Sequence, residues 1–352
     1  GMALTLSFAP VGSRLIVVRP GAPLAVAPTW QEKQRLSLDQ WQISRSEPNA
    51  LVLDYCRYRI GDGPWSERAY VRRAWEEIRA HYGLNTDRHN TRERFWSILE
   101  KMRPVVGDPR VTLALNFDLD SPAAAQSLCL VMETPERFQI SVNGQVVSSA
   151  SKEFWRDRSL RKIAIGQAVR QGENEILLVC PEWREDSELE TSFLTGDFRV
   201  EKRGEGFVLT TEATLPQGDW TAQGYPFYAG SFRYAQEVEL DVPGEGEKLF
   251  LEVPQWKGAV LRVTVNEGAP ILLGWPPYRA DITDRVHAGK NRIQVEVVNT
   301  FRNLMGPHHQ AQLSQGLTAP ATFYTPENWS DDYSLWSYGL TGPVALVREA
   351  IQ

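Results

Sequence analysis

Apolar and polar positions alternate along most of this chain in short runs, the period-two pattern of half-buried strands. LVLDYCRYRI (51–60), VTLALNFDL (111–119), FQISVNGQVV (138–147) and NEILLVC (174–180) carry it in the first half. AQEVELDV (235–242), KLFLEV (248–253), LRVTVN (261–266) and RIQVEVV (292–298) carry it in the second. Asn-Gly, Gly-Glu-Asn and Gly-Lys-Asn turns separate these runs, as in antiparallel sheets. One stretch departs from the pattern. Ala69, Val71, Trp75, Ile78 and Tyr82 recur near helical spacing, with Ser66 as N-cap, Glu67 in the first turn and Gly83 as the stop. A second short helix is predicted from Thr91 to Met102, with Phe95, Ile98, Leu99 and Met102 on one face. Strands never alternate with long helices, so a parallel sheet or an α/β barrel is not expected.

The pattern also occurs twice. LCLV, FQISVNGQVV, FWRDRSLRKIAI and RQGENEILLV, between 128 and 179, return as LFLEV, LRVTVNEGAPI, GWPPYRADIT and HAGKNRIQVEVV between 249 and 298. Asn143 returns as Asn266 and Asn174 as Asn291, offsets of roughly 120 residues, the size of a small domain and too long for a solenoid repeat. The predicted fold class is therefore all-β: two tandem jelly-roll β-sandwiches, with a short helical insert (66–102) in the first and a partial β segment at the N-terminus. The boundaries drawn are 1–50, 51–204 and 205–352. Residues 1–50, which open with LTLSFAP and SRLIVV, are too few and too rich in proline to bury a core alone. They read as the end of a preceding domain, and Gly1 before Met2 reads as an expression scar.

Composition narrows the function classes. Of 352 residues, 38 are Lys or Arg and 44 Asp or Glu, giving a net charge of −6 with no basic stripe, so a nucleic-acid partner is not expected. No apolar run approaches the ~18–20 residues that cross a bilayer, so no membrane partner is expected either. Residues 1–30 show no signal-peptide pattern, which leaves cytoplasmic and secreted settings both open. Cys56, Cys129 and Cys180 fit no metal spacing and read as small buried hydrophobes. No phosphate loop and no Gly-x-Ser-x-Gly elbow is present, and no cofactor is implied.

The string YAGSFR (228–233), followed by the Val-x-Val-Asn strand, the Pro-aromatic-x-x-Asp-Ile-Thr turn and the Gly-x-Asn closing strand, resembles the sugar-binding jelly-roll domain of family 2 glycoside hydrolases, within the galactose-binding-like superfamily. GDFRVEK, QGYPFYAG, NTFRNLMGPHH, FYTPENW and YGLTGPVAL look closer still to the C-terminal region of large bacterial α-L-rhamnosidase-like glycoside hydrolases. The likeness is close over 205–350 and looser over 51–200. It implies a non-catalytic accessory region whose partners are a carbohydrate and a catalytic barrel of the same parent chain, missing here. A free-standing lectin-like protein and a self-sufficient glycosidase are the alternatives.

A glycosidase needs two carboxyl groups facing each other across the sugar, one of them with a raised pKa. Asp157, Glu182, Asp186, Asp281, Glu327, Asp331 and Asp332 qualify only by abundance, so no catalytic residue is assigned. His308 and His309, being adjacent, should point to opposite faces and not share a metal, and no metal site is assigned. Sugar contact is the better expectation. A pyranose offers an apolar face and ring hydroxyls, which suit an aromatic plate beside Asn, Arg or His. Twelve tryptophans include several in Gly- and Pro-rich loops. The expected carbohydrate-binding set is Trp220, Tyr225, Tyr228, Trp275, Tyr278, Arg302, Asn303 and His308.

Overall fold

A computed structural model of the chain describes residues 28–84, 105–204, 206–212, 214–312 and 323–352, together with 6 and 15–17. The helix expected over 91–102 lies outside these residues, as does LTLSFAP apart from Leu6. Leu15, Ile16 and Val17 are exposed and belong to no strand. The described chain is all-β, with one helix longer than a single turn.

The first sandwich pairs two sheets. One runs, in spatial order, β11 (Asp157–Ala164), β7 (Cys129–Glu133), β13 (Ser192–Gly196) and β3 (Asn49–Leu53). The other runs β6 (Val111–Leu119), β12 (Gly172–Cys180), β8 (Gln139–Val142) and β9 (Gln145–Val147). Alternate residues of β6, namely Val111, Leu113, Leu115, Phe117 and Leu119, meet Leu130, Ile140, Ile176 and Leu194 in one core. Each such side chain contributes about 1.5–3 kcal/mol by leaving water.

The second sandwich repeats that order. Its sheets run β21 (Arg279–Asp281), β18 (Glu247–Glu252), β24 (Val344–Ile351) and β1 (Trp30–Leu38), and β17 (Ser231–Leu240), β22 (Gly289–Val298), β19 (Val260–Val265) and β20 (Ile271–Leu273). The sequence reading set residues 1–50 apart as one segment, but strand pairing divides them. β1 lies antiparallel on β24, with Leu38 opposite Val344, and β2 (Gln42–Arg45) lies antiparallel on β17. Asn49–Leu53 already belongs to the first sandwich. The chain thus begins the second sandwich, builds the first from Asn49 through the hairpin of Phe198–Arg203 and Gly206–Thr211, which pairs with β6, and returns. Antiparallel pairing of residues some 300 positions apart carries no local signal, which is why nothing in 30–38 revealed its partner.

The helix α1 (Val71–His81) also differs from the reading. Its N-cap is Tyr70. Ser66 lies in the preceding loop, where its Oγ accepts from Tyr58 N at 2.9 Å and donates to Glu67 O at 2.8 Å. α1 ends as expected at Gly83, whose φ of +66° favours glycine. It buries Val71, Ala74, Trp75 and Ile78 on the first core. The three cysteines are free, with Cys56 and Cys180 buried.

Candidate functional site

The aromatic loops of the second sandwich divide into core and surface. Trp220, Tyr225 and Tyr228 were expected at a sugar site and are instead fully buried. They surround Phe232, with ring centroids 4.4, 5.2 and 5.1 Å from it, and close the end of the second core. Tyr225 donates to Glu212 and Tyr228 to Ser231 O. Placed at the mouth of a sandwich, a large ring with a satisfied hydroxyl is a good plug, and burial removes it from any ligand.

What remains at the surface is a cleft of about 530 Å³ whose walls include Trp256, Lys257, Tyr278, Thr300, Trp336 and Tyr338. Tyr278, expected from the sequence, stands edge-on to Trp256 with centroids 5.0 Å apart and planes at 85°. Its main chain is fixed by Val253 N, which donates to Tyr278 O at 2.9 Å. Gly258 makes room for the Trp256 ring, because a Cβ there would lie 3.0 Å from Trp256 Cζ3 and 2.8 Å from Val298 O. Trp275, also expected, flanks the cleft beside its wall residue Gly274 and is 72% exposed.

The expected Arg302 and Asn303 act behind the cleft wall. Asn303 is buried, donating to Trp336 O at 2.8 Å and accepting from Trp336 N at 2.9 Å, so it clamps the main chain of Trp336 at both groups. Arg302 lies over the Trp336 ring, its Cζ 5.7 Å from the centroid. Trp336 itself is 48% exposed and free to present its ring. Opposite it, Thr300 Oγ1 and Tyr338 OH share a 2.6 Å hydrogen bond, and Lys257 exchanges two 2.9 Å main-chain bonds with Gly339. Gly339, at φ +139°, has Gly218 O where a Cβ would sit, so this approach is open to glycine alone. Trp256, Lys257, Thr300, Trp336 and Tyr338 were missed because they come from three distant loops. The signals available were Trp256 beside Gly258 and Trp336 just before the glycine-rich YGLTG.

His308 is not at this cleft. It is buried, its Nε2 bonded to Asn303 O at 2.9 Å, and it lines a separate cavity of about 510 Å³ with Tyr70, Leu160, Phe193, Met305 and Tyr324. Burial pushes its pKa down to about 4. His309 stands beside it with Nδ1 2.9 Å from Ser330 O and Nε2 3.0 Å from Asp54 Oδ2, while Tyr333 donates to Asp54 Oδ1 at 2.6 Å. These bonds tie the 301–335 loops to β3 of the first sandwich. The two rings do not point to opposite faces as expected: His308 Nδ1 lies 3.7 Å and His309 Nε2 3.0 Å from the same Asp54 Oδ2. Among the described residues no three His, Cys, Asp or Glu side chains are grouped to hold a metal.

Four of the candidate carboxylates offer little to acid chemistry. Hydrogen bonds from Ser159, Arg137 and Trp329 hold Asp157, Asp186 and Asp331 below the usual carboxyl range. Burial would raise Asp281, but Lys248 and Thr283 hold it low too. A general acid needs the opposite shift. Asp281 does scaffold work, accepting from Thr283 N at 3.1 Å while Thr283 Oγ1 accepts from Leu249 N at 3.0 Å.

No protein-family profile matches the chain. The curated Formosa agariphila protein "Putative beta-glucuronidase" is 23% identical over 150 residues, covering 36% of this chain and 13% of that protein. Among solved structures, the rhamnosidase of Novosphingobium sp. PP1Y matches 70% of this chain at 19% identity and a TM-score of 0.30. The beta-D-mannosidase of Dictyoglomus thermophilum matches 71% at 13% identity and a TM-score of 0.29. The proteins this chain is similar to are glycoside hydrolases, and it spans 23% and 31% of those two solved chains. No helix among the described residues is long and apolar enough to cross a membrane.

Proposed function

We propose that this chain is the non-catalytic accessory β-sandwich region of a carbohydrate-active enzyme, two tandem galactose-binding-like jelly rolls of which the second binds carbohydrate at its aromatic cleft. The single observation that carries this reading is the set of Trp256, Tyr278 and Trp336 around one cleft, the first two half-buried against the second core and Trp336 exposed and clamped by Asn303. An aromatic face exposed at a fixed angle has little packing purpose and suits the apolar face of a pyranose. The match to a β-glucuronidase-type protein supports the carbohydrate class. The role is read as accessory because four of the candidate carboxylates, Asp157, Asp186, Asp281 and Asp331, are held below the usual carboxyl range, opposite to what a general acid needs. On this reading the chemistry belongs to a catalytic barrel of the parent protein.

Calorimetric titration with a panel of plant and bacterial oligosaccharides tests it. Binding should be weak, since a shallow cleft excludes little water and each hydroxyl exchanges one hydrogen bond for another at a net gain of ~0.5–1.5 kcal/mol. Trp336→Ala should abolish it with the circular dichroism spectrum unchanged. Turnover of an aryl rhamnoside, lost on replacing one Asp or Glu, would replace the accessory reading with an enzymatic one.

A further inference from the structure

We propose that the aromatic cleft selects acidic saccharides, those carrying a carboxylate or a sulfate, an inference that rests on the carbohydrate-binding reading above. The cleft is rich in donors and poor in acceptors. No carboxylate is among its wall residues, while Lys257 is, with its side chain exposed. Behind Trp336 lies a second cation, Arg302, whose Nη1 and Nη2 are shielded from water and have no hydrogen-bond acceptor among the described residues. Trp256 Nε1 is likewise a buried donor with no acceptor there. Of the wall hydroxyls, Thr300 and Tyr338 are bonded to each other and Thr300 Oγ1 also accepts from Arg302 N at 3.2 Å, which leaves those of Tyr278 and Ser337. On the neighbouring loop Asp219 Oδ1 is taken by the main-chain N–H groups of Thr221 and Tyr338, at 3.0 and 3.4 Å.

An unneutralised guanidinium is costly to shield from water. Here it sits 5.7 Å from the centroid of the Trp336 ring, and Lys257, which lines the same cleft, has no ion-pair partner among the described residues. In a chain whose net charge is −6, this makes a local positive site in an acidic background, where anions concentrate and the rest of the surface repels them. A neutral sugar would satisfy the rings but leave the two cations without a counter-charge. A uronate or a sulfated sugar supplies one next to Lys257 while its ring covers Trp336.

The test is titration of the whole chain with trigalacturonate and with its fully methyl-esterified form, which keeps the skeleton and masks the charge. A sulfated galactan trisaccharide and its desulfated form make a second pair. The acidic member of at least one pair should bind about five- to tenfold more tightly in low salt, the ratio shrinking as salt is added. The pair that discriminates identifies the anion. In Lys257→Gln, whose substituted side chain is exposed, that ratio should fall to near one. Equal binding within both pairs overturns the charge selectivity and leaves carbohydrate binding standing. A ratio that survives Lys257→Gln overturns the assignment to this cleft. Binding of neither member of either pair, nor of any neutral oligosaccharide in the panel, removes the underlying reading as well.

Discussion

Asn266 and Asn291 are joined side chain to side chain, Nδ2 of the first donating to Oδ1 of the second at 3.0 Å, and Asn143 and Asn174 repeat that bond at 2.8 Å. The rest of each network matches as well. Asn266 and Asn143 both sit in the left-handed region, at φ +54° and +50°, and each accepts from the strand beside it, from Arg292 N and Glu175 N. Asn291 and Asn174 are buried, and each closes its own turn by donating to two carbonyls, those of His287 and Gly289, and of Arg170 and Gly172. One asparagine therefore anchors the closing turn and the other locks the hairpin to it.

Removing either buried asparagine strands several main-chain groups at once. Asn291→Ala and Asn174→Ala should each cost about 2–3 kcal/mol, read by urea denaturation. Asn266→Gly should be milder than Asn266→Ala by about 1 kcal/mol, because alanine adds left-handed strain to the lost bonds. Equal costs for the two would mean that the turn relaxes out of that region.

Glu296 lies buried on the outer side of β22, accepting from Ser231, from Arg233 Nε at 3.1 Å and from Arg262 Nη1 at 3.4 Å. Burial alone would raise its pKa, yet Ser231 and Arg233 hold it below the ordinary 4.5. Its stabilisation is thus present above about pH 4.5 and is lost as pH falls through the lower folded value. Glu296→Gln should cost roughly 1–3 kcal/mol at pH 7, and the deficit should narrow in acid.

His308 works over a different window. Unfolded, its imidazole titrates near the ordinary 6.5, and in the fold burial lowers it to about 4. The unfolded chain takes up the proton first as pH falls, so the contribution is full above pH 6.5, erodes between 6.5 and 4, and stops changing below that. His308→Gln keeps a donor for Asn303 O and should flatten the stability profile across that window, seen by denaturation at pH 4.5, 5.5 and 7.5. An unchanged slope would show that other groups set it.

The repeat and the strands were legible because period-two alternation and Asn-Gly turns are local signals, whereas the bonds that join Asn143 to Asn174 and Asn266 to Asn291 were not read from the sequence. The pairing of Trp30–Leu38 with Val344–Ile351 was not legible either, since register across such a separation is set by tertiary packing. The site was half legible. Tyr278, Trp275, Arg302 and Asn303 stand at or behind the cleft, whereas Trp220, Tyr225 and Tyr228 fill the core and His308 lines another cavity. A Trp beside glycine looks the same in sequence whether it plugs a sandwich end or faces water, and only the neighbours decide.

Gly258 offers a test of the cleft wall that leaves its aromatic side chains in place. Gly258→Ala puts a methyl 2.8 Å from Val298 O and 3.0 Å from Trp256 Cζ3, so the loop must give way from β22 and disturb the ring's seat. Tryptophan emission should change and sugar affinity fall several-fold, with a thermal midpoint lowered by only a few degrees. Unaltered affinity would remove Trp256 from the site.

The most direct measurement is to follow the indole N–H resonances by NMR while an oligosaccharide bound in the calorimetric panel is added. The indoles of Trp256, Trp275 and Trp336 should shift progressively and saturate together, while those of the buried Trp75, Trp183 and Trp220 stay in place. Saturating shifts confined to other tryptophans, such as Trp329 beside Tyr70 and His309, would place the sugar elsewhere and contradict the cleft as the carbohydrate site.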